Sequence, residues 1–317
     1  MSGGPADRTA GDAATLGAFE PAPPLPAWLA EELPFDRRDF RLARGPDAGR
    51  RVHFVDHGPR GARPVLLVHG NPTWCFLWRE VIARLPELRC VAPDLLGLGL
   101  SDKLPRYRDH TPERHAGALA ELVEALDLRD AVLVGQDWGG AIGALTAAML
   151  PERFTALVLA NTSVLVPERP RGTAFHRFAR LPGLSNLAFR RLGFPLQVLG
   201  RVQGDPASIA GTAARAYRWP LARARDRVAP LALARMVPGA PDHPSVPALR
   251  RGEAWVRGFA GPAVLVWGLR DPILGRALGR HERALPHAAV TRTQAGHFLQ
   301  EEVPDELAAA IRGVASR

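Results

Sequence analysis

The chain has 317 residues, of which 46% are hydrophobic and 23% are charged. This balance is typical of a folded globular protein and excludes a disordered, collagen-like or disulfide-rich chain. The net charge of +9 comes almost wholly from arginine, because Lys103 is the single lysine, and the arginines are scattered without a nucleic-acid-binding motif. We therefore expect no nucleic-acid partner, and without an apolar stretch near the ~20 residues of a membrane span we expect no membrane insertion.

Residues 1–34 are rich in Ala, Pro and Gly, and they lack the apolar segment of a secretory signal. We predict a flexible N-terminal arm over 1–34 and a cytoplasmic protein. Cys75 and Cys90 have neither CxxC spacing nor a histidine at ligand spacing, so we predict buried free thiols instead of a metal site or a disulfide.

From residue 35 onward, short apolar segments alternate with helical patterns, which predicts an α/β fold with a mostly parallel sheet covered on both faces. Helices are predicted over Thr111–Leu126, around Leu274–Leu285 and over Pro304–Val314. The predicted strands are Phe40–Leu42, Val52–Asp56, Val65–His69, Cys90–Ala92, Val132–Gly135, Ala156–Asn161, Ala263–Trp267 and a short one near Ala288–Thr291.

The alternation stops between Thr162 and Pro262, where arginine-rich helical segments and prolines occur but no strand pattern does. An all-helical insertion between strands of such a sheet predicts a cap over the carboxyl ends of the strands, where these folds bind ligands. We therefore predict a core of residues 35–161 and 263–317 and a cap of residues 162–262.

The segment 132–140 reads VLVGQDWGG, an apolar strand followed by a Gly-x-Asp-x-Gly turn and the start of a helix. This pattern is typical of a nucleophile elbow, with Asp137 where a serine hydrolase has Ser. The elbow would present Asp137 to the site beside a helix N-terminus. The alternative, an aspartate that merely caps the helix, stays open on this motif alone.

The order of the chemically active residues favours catalysis. Asp271 follows Asp137 by 134 residues, and His297 follows Asp271 by 26, which is the order nucleophile, acid, histidine. Both later residues come directly after predicted strands. His69, in the segment HGNP, is expected to shape its loop through hydrogen bonds instead of exchanging protons.

The segment 69–74, HGNPTW, follows a predicted strand and occupies the place of a loop that supplies an oxyanion donor. We predict that the backbone N–H groups of Asn71 and Trp138 form this oxyanion hole. Gly97 and Gly99 lack the third glycine of GxGxxG, because Asp102 stands there, so a dinucleotide cofactor is not supported.

From about Arg38 to the C-terminus the sequence resembles the haloalkane dehalogenases of the α/β-hydrolase superfamily. The matching motifs, in order, are HGNPTW, DLLGLGLSDK, VGQDWGG, LRDP and GHF. The resemblance implies an α/β-hydrolase fold with an eight-stranded, mostly parallel sheet and a helical cap. It also implies catalysis by Asp137, His297 and Asp271 without a metal or organic cofactor, acting on a small apolar halogenated or lactone substrate and water, with a halide ion released.

Two further features resemble the third dehalogenase subfamily, some members of which process lactones. Asn71 and Trp138 look like its halide-binding pair. Asn161, and not a carboxylate, ends the sixth predicted strand, which leaves the acid role to Asp271. Glu168 is the nearby rival acid, and we interpret it as a cap residue.

Other functions remain open. A β-lactone decarboxylase of long-chain olefin synthesis resembles this chain in the same residues, so the sequence barely separates the two. An epoxide hydrolase would carry two tyrosines in the cap, which here offers only Tyr217; a fluoroacetate dehalogenase has Arg where this chain has Trp138; and a binding protein without activity would show decay of the catalytic set. The apolar cap residues are predicted either to line the pocket or to form the cap's own core: Phe175, Phe178, Leu181, Phe189 and Leu192.

Overall fold

A computed structural model describes residues 17–317. Nine strands form one sheet with the order β1-β2-β3-β5-β4-β6-β7-β8-β9. The strands from β5 across to β9 are parallel, while β1, β2 and β3 form an antiparallel edge beside β5. Their bounds are Ala18–Pro21, Arg37–Arg41, Arg51–His57, Pro64–Val68, Arg89–Pro93, Ala131–Asp137, Phe154–Thr162, Ala263–Gly268 and Ala289–Thr293 for β1 to β9.

Eleven α-helices accompany the sheet in the described part of the chain. Helices α3, α4 and α9 pack against one another, and α2 packs against α11; because α4 and α11 both contact the central strands, the two groups cover opposite faces. The bounds of α1 to α11 are Ala27–Glu32, Arg79–Ala83, Pro112–Ala125, Trp138–Met149, Ala174–Ala179, Leu184–Asn186, Gly211–Arg218, Val228–Met236, Val246–Gly258, Leu278–Ala284 and Pro304–Ala315.

The central strands form because their side chains are apolar on both sides. All of β4 after its first residue is buried, and so is β6 up to Gln136, as expected where helices cover both faces of a parallel sheet. Helix α3 begins as its sequence predicts: Pro112 takes the first helical position, and the hydroxyl of Thr111 accepts a hydrogen bond from the N–H of Arg114 at 3.3 Å.

The predicted fold class is confirmed, and each of the eight predicted strands has a counterpart. The ninth strand, β1, pairs with β2 and lies inside the predicted N-terminal arm. Leu29 and Leu33, from α1 and its end, are buried. The flexible arm therefore does not extend over residues 17–34, and its prediction for residues 1–16 falls outside the described residues.

Between β7 and β8 the described chain holds no strand, as predicted, but the cap is shorter than expected. Helix α9 packs along α4 and belongs to the covering of the sheet, so the cap consists of residues 163–245. Part of the cap is a π-helical turn over Leu187–Arg191. Of the helices described, none has the length and hydrophobicity needed to span a bilayer.

The strand β6 passes directly into α4 without a loop, and this junction brings three backbone segments together. A Cβ atom added to Gly139 would overlap the backbone carbonyl of Val68 at the end of β4. Because neither backbone can move without disturbing the sheet, the junction requires a residue without a side chain.

We expect Gly139→Ala to lower the free energy of unfolding by about 2 kcal/mol or more, because overpacking against backbone cannot be relieved by a rotamer change. Gly117→Ala is the matched control, since Gly117 is an exposed residue of α3 with no atom near the added Cβ. That change should stabilise the protein by up to about 1 kcal/mol. Urea unfolding of both variants measures the difference; equal stability would contradict the close packing at Gly139.

Candidate active site

Asp137 is the last residue of β6 and has φ 51° and ψ −126°, a conformation that costs energy for a residue with a side chain. This backbone turn directs its carboxylate out of the sheet, where 16% of the side chain is exposed. Its Oδ1 accepts a hydrogen bond from the backbone N–H of Asn71 at 2.7 Å, and the backbone N–H of Trp138 also donates to the carboxylate. Both predicted oxyanion donors therefore lie at this residue.

The structure brings His297 and Asp271 to the same point. Asp271 follows β8 and His297 follows β9. The Nδ1 of His297 lies 2.9 Å from Oδ2 of Asp271, and its Nε2 lies 3.6 Å from Oδ2 of Asp137. The second Asp271 oxygen accepts the N–H of Ile273 at 2.7 Å, which fixes the carboxylate. The three predicted catalytic residues thus form one connected set.

Burial and charge oppose each other in this set. Burial raises the pKa of Asp137, while His297 and the N–H groups of Asn71 and Trp138 limit the rise. Burial alone would lower the pKa of His297, but the carboxylates of Asp271 and Asp137 outweigh it, so the pKa of His297 lies above its ordinary value. A proton at the site is therefore held by the imidazole, and Asp137 keeps its negative charge.

Asn161 supports the histidine loop and does not compete with Asp271. Its Oδ1 accepts the N–H of Gly268 at 2.8 Å, and its Nδ2 donates to the carbonyl of Gly296 at 2.8 Å. A carboxylate there would lack the donor for Gly296. Glu168, the rival acid considered from sequence, is exposed. The geometry thus favours Asp271 as the partner of His297.

Cap residues hold the histidine loop. The carbonyl of Val202 accepts the N–H of His297 at 2.8 Å. The side-chain amide of Gln203 accepts the N–H of Phe298 at 2.8 Å and donates to its carbonyl at 3.1 Å. Glu302 accepts the N–H groups of Gly204 and Asp205 in the cap, and that of Gly296 in the loop, each at 3.0 Å.

Sequence reasoning missed these supporting residues. Gln136, beside the nucleophile, donates to the carbonyl of His297 at 3.0 Å; its place in the elbow motif was a usable signal. Gln203 carried no such signal, because nothing in its surrounding sequence indicates a partner 95 residues away. His69 behaves as predicted: Nδ1 donates to the carbonyl of Gly70 and Nε2 accepts the N–H of Leu95, both at 2.9 Å.

The side chains of Asn71 and Trp138 face the cap helix α8. The Nδ2 of Asn71 donates to the carbonyl of Pro230 at 3.0 Å, and the indole Nε1 of Trp138 donates to the carbonyl of Leu233 at 3.1 Å. Both residues line the cavity above Asp137. The two predicted halide donors therefore converge, and each is engaged by a carbonyl of α8.

A cavity of about 520 Å³ opens above Asp137. Most of its lining is apolar and comes from the cap, including Phe175 and Phe194. Phe178 and Phe189 instead contribute to a small core inside the cap, while Leu181 and Leu192 are exposed. Only Phe175 of the five apolar cap residues predicted from sequence thus lines the cavity.

One cluster of possible metal ligands occurs among residues 17–317. It consists of His53, Cys75 and Asp94, all buried and none lining the cavity. Asp94 already accepts hydrogen bonds from the N–H groups of Cys75 at 2.6 Å and Leu100 at 2.7 Å, and it lies 2.9 Å from Nδ1 of His53. Burial and Asp94 raise the pKa of the Cys75 thiol well above its ordinary value, which disfavours the thiolate that a metal needs.

Comparisons with known proteins agree with this geometry. A family model for the alpha/beta hydrolase fold matches residues 63–304. A haloalkane dehalogenase of Mycolicibacterium paratuberculosis is 33% identical over 89% of this chain and 93% of its own. Haloalkane dehalogenase 2 of Mycobacterium tuberculosis is 34% identical over 92% of this chain and 97% of its own.

Solved structures give the same result. A tetrameric haloalkane dehalogenase of Paraglaciecola agarilytica superposes with a TM-score of 0.77 at 26% identity, covering 90% of this chain and 93% of its own. A haloalkane dehalogenase of Bradyrhizobium elkani superposes with a TM-score of 0.75 at 27% identity, covering 84% and 96%. The chain therefore belongs to the haloalkane dehalogenase family, within the α/β-hydrolase fold.

Proposed function

We propose that this protein hydrolyses haloalkanes to an alcohol and a halide ion through a covalent ester on Asp137. The proposal rests on one observation: a strained, ionised Asp137 lies at the base of an apolar cavity with the His297–Asp271 pair 3.6 Å away. An aspartate is already an anion near pH 7 and needs no base to attack carbon. His297 is therefore available for a second step.

In the first step, Asp137 displaces the halide. Oδ1 is held by the N–H of Asn71, so Oδ2 is the attacking atom. A bond forms between Oδ2 and the carbon that carries the halogen, and the carbon–halogen bond breaks with its electron pair on the departing halide. The apolar cavity excludes water, which would otherwise shield the attacking carboxylate.

In the second step, the ester is hydrolysed. The Nε2 of His297 takes a proton from water as the water oxygen bonds to the ester carbonyl carbon. The backbone N–H groups of Asn71 and Trp138 stabilise the resulting oxyanion. The tetrahedral intermediate then releases the alcohol, whose oxygen regains the proton from His297, and Asp137 is restored. Asp271 stabilises the imidazolium while it exists.

The side-chain N–H groups of Asn71 and Trp138 bind the halide as it leaves. In the structure each donates to a carbonyl of α8. The indole has one N–H, so the halide must replace Leu233 as the acceptor for Trp138. Halide binding is thus an exchange between two acceptors.

We expect His297→Phe to stop the reaction after the first step, because Asp137 can still attack but water is no longer activated. With 1-bromobutane, the intact protein should gain the mass of one butyl group and release one bromide per chain. Mass spectrometry and bromide titration measure both.

The double variant His297→Phe with Asp137→Asn is the control, and it should gain no mass. Bromide turnover without an adduct would refute the ester intermediate. Alkene release from a long-chain β-lactone by the native enzyme, with no bromide released from any bromoalkane, would instead favour the decarboxylase.

The pH dependence follows from the raised pKa of His297. His297 acts as a base only when neutral, so ester hydrolysis should fail as the pH drops through this pKa, at a pH above the ordinary value of about 6.5. Asp271→Asn removes the main cause of the rise, so we expect the acid limb of kcat to move to lower pH.

The same substitution should lower the plateau of kcat by about 10³- to 10⁴-fold, because the imidazolium loses its partner. Profiles of kcat from acid to alkaline pH measure both effects. Glu168→Gln is the control and should leave the profile unchanged, since Glu168 is exposed. If Glu168→Gln gave the large loss and Asp271→Asn did not, the acid would be Glu168.

Asn71→Ala and Trp138→Phe should each raise the inhibition constant for bromide by about tenfold or more, because each removes one donor to an anion. Trp255→Phe is a matched control, since Trp255 lies outside the cavity. Competitive inhibition by sodium bromide, with circular dichroism to check the fold, is the measurement. An unchanged inhibition constant in both variants would remove these residues from the halide site.

A further inference from the structure

The lining of the active-site cavity is charged in an uneven way. Asp137, at the base, is the one acidic residue among the described residues that line it, whereas three arginines do so: Arg169, Arg171 and Arg280. Arg169 and Arg171 are exposed, and Arg280 is partly exposed. Because exposed residues that line a cavity lie where it opens to solvent, these three define a cationic rim around its mouth.

The cationic rim has no counterion within the described residues. Many other arginines of this chain are paired with carboxylates, such as Arg79 with Glu301 at 2.6 Å and Arg89 with Asp56 at 2.8 Å. Within residues 17–317, no carboxylate lies within 4 Å of a rim guanidinium, and the buried Nε of Arg280 has no hydrogen-bond partner. An anion at the mouth would therefore meet donors that the protein leaves free.

The charge of the whole cap acts in the same direction. Residues 163–245 contain 13 arginines and four acidic residues, while the rest of the chain contains 28 basic and 28 acidic residues. The entire net charge of +9 thus belongs to the element through which substrate enters. Such a field raises the local concentration of anions and the rate at which they associate.

We propose that the cationic rim selects substrates with a carboxylate at the end of an apolar chain opposite the halogen. This inference rests on the proposed function and names the substrate class for the same site. The halogen-bearing carbon lies at Asp137, the chain fills the apolar part of the cavity, and the carboxylate binds the rim arginines. Guanidinium groups are suited to this, because they hold carboxylates through two parallel hydrogen bonds.

The size of the cavity agrees with such a substrate. Its volume of about 520 Å³ lies within the range of roughly 300–1,000 Å³ found for pockets that enclose drug-sized ligands. A bromoalkane of four carbons would leave much of this space to water. A halogenated chain long enough to reach the mouth fills it and places its far end among the arginines.

Substrate pairs of equal length separate this inference from the proposed function. We expect kcat/KM for bromide release to be at least fivefold higher for 6-bromohexanoate than for 1-bromohexane. The advantage should shrink as sodium sulfate is added, because salt screens the attraction between exposed charges. The rate with 1-bromohexane should not respond in this way.

Arg280→Gln should reduce kcat/KM for 6-bromohexanoate by about tenfold and leave that for 1-bromohexane within twofold. Arg171→Gln should act in the same direction. Arg276→Gln is the matched control, since Arg276 lies four residues before Arg280, is exposed and does not line the cavity. It should change neither rate.

Each outcome has a separate meaning. Bromide release from 1-bromohexane without any preference for the carboxylate, or with a preference that the rim variants keep, overturns the inference and leaves the proposed function intact. Rim variants that alter bromide inhibition but not the carboxylate preference also overturn it, because the arginines would then serve the halide. No bromide release from either compound overturns the proposed function itself.

Discussion

The position of His297 depends on hydrogen bonds from the cap. Its own N–H is bound by Val202, and the backbone of the next residue is bound on both sides by the amide of Gln203. The loop after β9 has few other means of fixing this imidazole against Asp137. The cap is therefore more than a cover for the cavity, since it completes the catalytic set. Cap motions that break these contacts would switch off ester hydrolysis before they affected substrate entry.

The electrostatics of the site follow from the same enclosure. A carboxylate placed in an apolar cavity without partners would be neutralised or destabilising. Here Asp137 accepts two backbone N–H groups and lies beside an imidazole whose own pKa is raised. The dry cavity that favours attack on carbon thus contains an anion that the protein has already stabilised. Asp137 stays reactive because its partners hold one oxygen and leave the other facing substrate.

The sequence was sufficient to predict the parts of the molecule that depend on local pattern. Apolar segments between helical ones placed eight strands, and the elbow motif with its following acid and histidine placed Asp137, Asp271 and His297. Strand β1 was missed because its four residues, AFEP, contain a proline and form a strand only by pairing with β2. Helix α9 was assigned to the cap because its packing on α4 has no signal in its own sequence.

Long-range contacts account for the remaining differences at the site. The sequence named Asn71 and Trp138 but could not show that both side chains are bound by carbonyls of α8, since those carbonyls belong to residues about 95 to 160 positions away. Likewise, the arginines were counted but read as scattered. Folding gathers three of them at one opening, and the ion pairs that neutralise many others are absent there within the described residues.

The carbonyls of α8 have a consequence for the end of the catalytic cycle. An anion held by donors that have no other acceptor leaves a site with unmet hydrogen bonds, and that penalty slows its escape. Here Pro230 and Leu233 can take back the donors of Asn71 and Trp138 as the halide departs. The helix thereby works as a built-in competitor that lowers the barrier to product dissociation. Enzyme that has lost its halide is ready for the next substrate without waiting for water to fill the same positions.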